Sequence, residues 1–199
     1  MEHYFISKEH KQEDYFSFMT RVNELTFEIK SCDSVFSKDE VDYGTNLLIK
    51  TVLKEASVCG KVLDIGCGYG IISMAIARSF GDVEVHACDI NSTAVDLTKF
   101  NAQRNHIKNI TSVVESDAYS NITDKYNFIV TNPPIKAGKQ NLLNILLGAY
   151  DYLFEDGELW FVIKKKHGED SVKKALQEKF CSVEVVKRDK GYYIIKAVK

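Results

Sequence analysis

Proline is almost absent from this chain: 199 residues hold two, and both stand side by side at Pro133 and Pro134. The five cysteines (Cys32, Cys59, Cys67, Cys88, Cys181) are scattered and have no C-x-x-C spacing. That argues against a zinc site and against a disulfide framework. The five histidines contain no pair at metal-ligand spacing, so no metal is expected. No apolar run approaches the roughly 18 residues a membrane-spanning helix needs. The start, MEHYFISKEHKQEDYF, is charged and lacks the apolar stretch of a signal peptide. No G-x-S-x-G nucleophile motif occurs. These absences point to a reducing cytoplasmic setting with no membrane contact, and they leave the oligomeric state open.

The charge is uneven. The net value is −2, but residues 161–199 hold 11 Lys+Arg against 5 Asp+Glu. A basic end on an acidic body can face phosphates, or it can be a solvated surface.

From residue 59 onward short apolar runs alternate with helical periodicity. Strands are expected over 61–66, 83–90, 110–117, 125–132, 157–165, 181–188 and 191–199. Helices are expected over 70–80, 91–105, about 139–153 and 169–179. Alternation of this kind predicts an α/β fold: a mostly parallel sheet of seven strands with helices on both faces. Asp189, Lys190 and Gly191 leave only hairpin spacing between the last two strands, so the final strand should run antiparallel. One domain over 1–199 is expected. Residues 1–58 form an N-terminal extension and lead helix on a core of 59–199. Within the extension, residues 21–32 are expected to pair with a segment near Tyr4–Ser7.

VLDIGCGYGI (62–71) places Asp64, Gly66, Gly68 and Gly70 at alternate positions between a strand and a helix. Glycines there allow a sharp turn and close approach of backbone to a ligand. A dinucleotide fingerprint would need glycine at position 71, which is Ile71. The spacing D-x-G-x-G-x-G is instead that of S-adenosylmethionine-dependent enzymes, with an acid near the ligand's ammonium. Cys67 reads as a small filler in this loop, not as a nucleophile. Asp89 closes the second strand, followed by Ile90; its carboxylate can take two ribose hydroxyls or can serve as a turn residue. Asp117 closes the third strand. It can accept from an adenine amine, with the Ala118 N–H donating beside it, and here too a plain turn is the other reading.

The proline pair follows strand four in TNPP. A residue before proline is biased to extended backbone, and Pro133 and Pro134 fix the chain after Asn132. The Asn132 side-chain oxygen and the Pro133 carbonyl then form a rigid pair of acceptors for an exocyclic amine with two hydrogens. Such an amine is a poor nucleophile because its lone pair is delocalised into a ring. Holding it part-way to tetrahedral geometry is catalysis by positioning. The alternative is a strand-terminating turn.

VFSKDEVDYGTNLL (35–48), VLDIGCGYG (62–70), NPPIKAGK (132–139), GELWFVIKKKHG (157–168) and GYYIIKA (191–197) resemble the RsmC-type guanine-N2 methyltransferases of small-subunit rRNA. The likeness is strongest to the short, single-domain YbxB-like members and runs from about Tyr4 to the end. The resemblance implies a Rossmann-like class I methyltransferase fold, S-adenosylmethionine as cofactor and RNA as partner, either rRNA or an assembled subunit. It implies that Asp64, Gly66, Cys67, Gly68, Gly70, Asp89, Ile90, Asp117 and Ala118 surround the cofactor, with Asn132 beside it. Phe36, Ser37, Gly44 and Thr45 would close over it. Asn132, Pro133 and Pro134 would hold the target amine. Ile135, Lys136, Lys139, Lys164 and Lys165 would meet the substrate. The family usually has arginine at position 136, and lysine lacks its bidentate fork. N-P-P also occurs in enzymes acting on protein glutamine or DNA adenine, which are the alternative substrates.

Overall fold

The computed structural model describes residues 15–35, 40–134, 138–165 and 168–199. The elements are β1 (Tyr15–Val22), β2 (Leu25–Cys32), α1 (Tyr43–Glu55), β3 (Lys61–Ile65), α2 (Ile71–Ser79), β4 (Glu84–Asp89) and α3 (Ser92–Arg104). They continue with β5 (Ile110–Glu115), β6 (Tyr126–Thr131), α4 (Lys139–Tyr152), β7 (Leu153–Lys164), α5 (Glu169–Gln177), β8 (Ser182–Asp189) and β9 (Tyr192–Val198).

Seven strands form one sheet in the order β5-β4-β3-β6-β7-β9-β8. β3 to β7 are parallel. β9 runs antiparallel to both β7 and β8, as the short turn requires. That turn is Lys190-Gly191, with φ of 44° and 77°, the positive-φ pair of a tight hairpin.

The central strands are buried on both faces, so their sequences are runs of apolar residues without alternation. On one face Phe128, Val130, Trp160 and Val162 meet α1, α2 and the β1–β2 hairpin. On the other, Ile129, Phe161, Ile163 and Ile195 meet α4 and α5. Each large side chain buried here contributes roughly 1.5–3 kcal/mol. Between β5 and β6 the chain crosses without a helix, and Tyr119 and Ile122 cover the sheet in its place. Tyr119 stacks on Tyr152 with centroids 4.5 Å apart, and its hydroxyl donates to the Ile145 carbonyl.

Three expectations change. Residues 21–32 do not form one strand: Arg21 and Val22 end β1, and the partner of Leu25–Cys32 is Tyr15–Val22, joined across Asn23-Glu24; Asn23 takes φ 55° there. Residues 4–7 lie outside the described residues. β7 starts at Leu153, not at 157, because its register with β6 jumps from Leu153 to Glu158 and the residues between form a bulge, with Asp156 at φ 62°. β5 stops at Glu115, so Asp117 stands two residues beyond the strand.

The hairpin is held by two amides one turn apart, Asn101 in α3 and Asn105 at its C-cap. Asn101 accepts from the Lys30 N–H at 2.8 Å and donates to the Lys30 carbonyl at 2.9 Å. Asn105 does the same for Glu28 at 3.0 and 2.7 Å. Helical positions i and i+4 thereby match strand positions i and i+2 and satisfy backbone groups on the inner edge of β2. No helix among the described residues is long and apolar enough to cross a membrane.

Candidate active site

The parallel strands end at one edge, and the order in which the chain adds strands reverses between β3 and β6. A crevice at such a switch point is where open α/β sheets bind ligands. The glycine loop leaves β3 there. Gly66, Gly68 and Gly70 have φ of 72°, 58° and 89°, a region closed to most side chains. The Gly66 and Cys67 N–H groups both donate to the Cys88 carbonyl, at 2.8 and 3.0 Å, which ties the loop to β4. A Cβ on Gly66 or Gly68 would meet nothing within 4 Å, so open space lies above them. A Cβ on Gly70 would sit 2.9 Å from Thr98. The first two glycines therefore leave room, and the third permits packing of the loop on α3.

Asp64 is fully buried. Its Oδ2 accepts from the Ser73 N–H at 3.0 Å and the Ser73 hydroxyl at 2.5 Å, which anchors the first turn of α2. Its Oδ1 is buried without a partner among the described residues. Burial pushes the carboxyl up to about 7; the Ser73 bonds act in the other direction. A buried acceptor of this kind suits a cation.

Asp89 uses Oδ2 to accept from the Gly68 N–H and Oδ1 to accept from the Asn91 N–H, both at 2.9 Å. It thus also fixes the loop and the start of α3, where Asn91 caps by accepting from the Thr93 N–H. Ile90 beside it is two-thirds exposed at 66%. Asp117 is exposed, and its N–H donates to Ser120 Oγ. Ala118 takes φ 47°, held by the Ser116 hydroxyl on its carbonyl. The Cys67 thiol is buried against Thr98, and burial raises its pKa well above the ordinary value. It is a packing residue.

Asn132 follows the last residue of β6. Its Nδ2 donates to Asp42 Oδ2 at 2.9 Å and to Thr45 Oγ1 at 2.7 Å. Asp42 is the N-cap of α1 and accepts from the Gly44 and Thr45 N–H groups and from the Thr45 hydroxyl. With both amide hydrogens used, the orientation of the Asn132 amide is set, and no described residue donates to its Oδ1. Pro133 is buried and Pro134 exposed.

Gly44 and Thr45, expected over the cofactor, stand at the start of α1, where Thr45 serves the Asn132 network. A Cβ on Gly44 would lie 2.8 Å from the Tyr192 ring, so this glycine admits β9 against the helix. Lys164 ends β7 on the same sheet edge, with Nζ 4.6 Å from the Tyr192 ring centroid. Lys139 and Lys165 are exposed. Phe36, Ser37, Ile135 and Lys136 lie outside the described residues. Sequence reasoning missed Asp42. Its signal was present: an aspartate directly before a periodic apolar run is an N-cap pattern.

Among the described residues no cluster of three His, Cys, Asp or Glu side chains could hold a metal. The sheet order, the antiparallel β9 and the glycine loop at the switch point define a Rossmann-like fold of the class I methyltransferase type. The chain belongs to the methyltransferase small domain family, whose model matches residues 26–196. It is similar to YbxB of Bacillus subtilis (strain 168), 42% identical over 200 residues, covering 100% of this chain and 98% of that one. It is also 34% identical to ribosomal RNA small subunit methyltransferase C of Vibrio parahaemolyticus, over 78% of this chain and 46% of that one. The chain thus spans about half the length of that relative. Among solved structures, the T. thermophilus 16S rRNA N2 G1207 methyltransferase (RsmC), in complex with AdoMet and guanosine, superposes with a TM-score of 0.81. That match has 24% identity and covers 93% of this chain and 50% of that one.

Proposed function

We propose that this protein transfers a methyl group from S-adenosylmethionine to an exocyclic amine, guanine N2 of small-subunit rRNA, in the cytoplasm. The observation that carries the reading is the Asn132 amide, turned by Asp42 and Thr45 so that Oδ1 stays available beside the glycine loop. The residues fit the cofactor: open space above Gly66 and Gly68, an orphaned buried oxygen on Asp64, and the Asp89 carboxylate on the next strand. Asp64 would face the ammonium. Asp89 would take the ribose hydroxyls, with Ile90, Asp117 and Ala118 around the adenine.

Bound there, S-adenosylmethionine would supply an electrophilic sulfonium methyl, its sulfur departing as the thioether S-adenosylhomocysteine. The chain's part is to position the amine nitrogen. Asn132 Oδ1 and the Pro133 carbonyl accept its two N–H bonds, drawing its lone pair out of conjugation and toward the methyl. No strong base is needed; the extra proton leaves to solvent after transfer. The name of the relative, ribosomal RNA small subunit methyltransferase C, supports small-subunit rRNA over protein or DNA as the substrate.

The test is methyl transfer from labelled S-adenosylmethionine to three substrates: small-subunit particles from a strain lacking the enzyme, naked rRNA from that strain, and a release-factor-like protein. Label in N2-methylguanosine is expected. Label in protein alone would move the substrate to glutamine. No label from a protein that binds the cofactor would end the reading.

A further inference from the structure

We infer that the corner between α1 and the β8–β9 turn is a second binding surface, one that takes an unpaired RNA strand next to the target nucleotide. This rests on the proposed RNA substrate and adds Tyr43, Lys190 and Tyr192 to Lys164, which the resemblance already places toward the substrate. Four side chains form a row there, two neighbouring rings with a lysine over each. Lys164 Nζ lies 4.6 Å from the Tyr192 centroid. The Tyr192 and Tyr43 rings are 5.3 Å apart. Lys190 Nζ lies 4.9 Å from the Tyr43 centroid.

The position is as informative as the composition. Lys164 ends β7, and Tyr192 is paired with it across the β7–β9 ladder. β7 is parallel to β6, so this row stands on the sheet edge that carries Asn132. Tyr43 directly follows Asp42, which orients Asn132. The row therefore runs outward from the amine-holding residue. Lys165 follows Lys164 in the chain and is exposed.

The charge fits the partner. Residues 161–199 carry 11 Lys+Arg against 5 Asp+Glu in a chain of net charge −2. Among the described residues neither Lys164 nor Lys190 makes a salt bridge within 4 Å of a carboxylate; both sit over tyrosine rings. A flexible lysine over a ring can move onto a phosphate and give the ring to a base, which is the pairing of cation and stacking platform that single strands use. Tyr43 is 37% exposed, and its hydroxyl is held by Asp189 at 2.8 Å, which fixes the ring. A lattice of acidic protein side chains would match the lysines but would give the rings no role.

The test is fluorescence anisotropy with a labelled, unpaired oligoribonucleotide and the intact chain, across a series of salt concentrations. Lys190→Asn keeps a residue that tolerates the φ of 44° at this turn. It should weaken binding and reduce the slope of log affinity against log salt by about 0.7, the value of one single-strand phosphate contact. Tyr43→Leu should weaken binding about tenfold, the scale of one lost base stack. Tyr43→Phe keeps the ring and should bind nearly as the parent does. Lys108→Gln makes the same charge change beside β5, at the opposite edge of the sheet, and should leave affinity unaltered. If Lys190→Asn and Lys108→Gln fold and bind like the parent, the surface is wrong. If Lys108→Gln weakens binding as much as Lys190→Asn, only overall charge is being read and the proposal fails. It also fails if a polyanion without bases is bound as tightly and is indifferent to Tyr43→Leu. None of these readouts needs methyl transfer, so a wrong choice of target amine would appear separately, as label outside N2-methylguanosine.

Discussion

The Asn132 amide donates to the Asp42 carboxylate at 2.9 Å across 90 residues of chain. One oxygen, Asp42 Oδ2, holds this bond together with the Thr45 N–H and the Thr45 hydroxyl. A helix cap and the amide proposed to hold the target amine therefore share one acceptor. Asp42→Ala should cost about 1 kcal/mol of stability as a lost N-cap. It should also lower kcat by about tenfold or more, because a freed amide no longer presents Oδ1 in a fixed direction. Asp42→Asn can place its oxygen where Oδ2 stands and should recover most of both. A purely structural cap would show the stability loss with kcat intact in melts and steady-state kinetics.

Asn132→Ala removes the acceptor itself. Cofactor affinity, read by calorimetry, should stay near the parent's. Turnover should fall by at least about 10²-fold, the scale of a lost transition-state hydrogen bond. Equal loss of binding and turnover would contradict a role confined to the amine.

The glycines separate fold from ligand. Gly68→Ala meets no atom within 4 Å, so its cost to the fold is that of forcing φ 58° on a residue with a Cβ, about 1–2 kcal/mol. Its methyl would occupy the open space above the loop, and cofactor affinity should drop by more than tenfold. Gly70→Ala carries the same strain plus a 2.9 Å approach to Thr98. It should destabilise the chain more than Gly68→Ala does. Thermal melts beside cofactor titrations read the two effects apart.

The seven-stranded sheet was legible because buried parallel strands write themselves as apolar runs such as KVLDI and YNFIVT, each closed by polar or turn residues. The glycine loop was legible because a tight strand-to-helix turn admits few residue types. What escaped were relations between distant segments. Asp42 looks like any helix cap until α1 lies against β6. Asp64 looks like a ligand group, and only the fold shows Ser73 holding one of its oxygens. The hairpin partner was misplaced because β2 shows its inner edge to α3. Asn101 and Asn105, which hold that edge, read in sequence as indifferent helix residues.

Those amides can be tested directly. Asn101 is fully buried and also donates to the Tyr69 carbonyl. Asn101→Ala would leave the Lys30 N–H and carbonyl unpaired, at a cost of roughly 1–3 kcal/mol for each group left buried. The hairpin should then open before the sheet does. Limited proteolysis should cut within 15–32 while amide exchange of β3 and β6 stays slow. Loss of both together would show that the hairpin and the sheet form one cooperative unit.

The proposed place of Asp64 beside the cofactor's ammonium predicts that cofactor binding depends on pH. The ordinary value of the Asp64 carboxyl is 3.8, and burial raises it to about 7 in the folded chain. Between those values the folded state binds the proton and the unfolded state does not. Ionised Asp64 therefore costs stability that builds as pH rises from about 4 to about 7, on the order of 4 kcal/mol in full, and is constant above. A cation against the orphaned Oδ1 would relieve this cost, so the ligand's ammonium and the proton compete for one oxygen. Cofactor affinity should rise with pH from about 5.5 to about 7 and then level. Calorimetry in buffers of different ionisation enthalpy should show close to one proton released per cofactor bound below pH 7. Asp64→Asn offers an N–H where the ammonium would sit, if its oxygen keeps the Ser73 bonds. It should bind the cofactor at least tenfold more weakly, with no proton release, and should lose the slope of stability between pH 4 and 7. A parent-like pH profile in Asp64→Asn would place the titrating group elsewhere and take Asp64 out of the cofactor site.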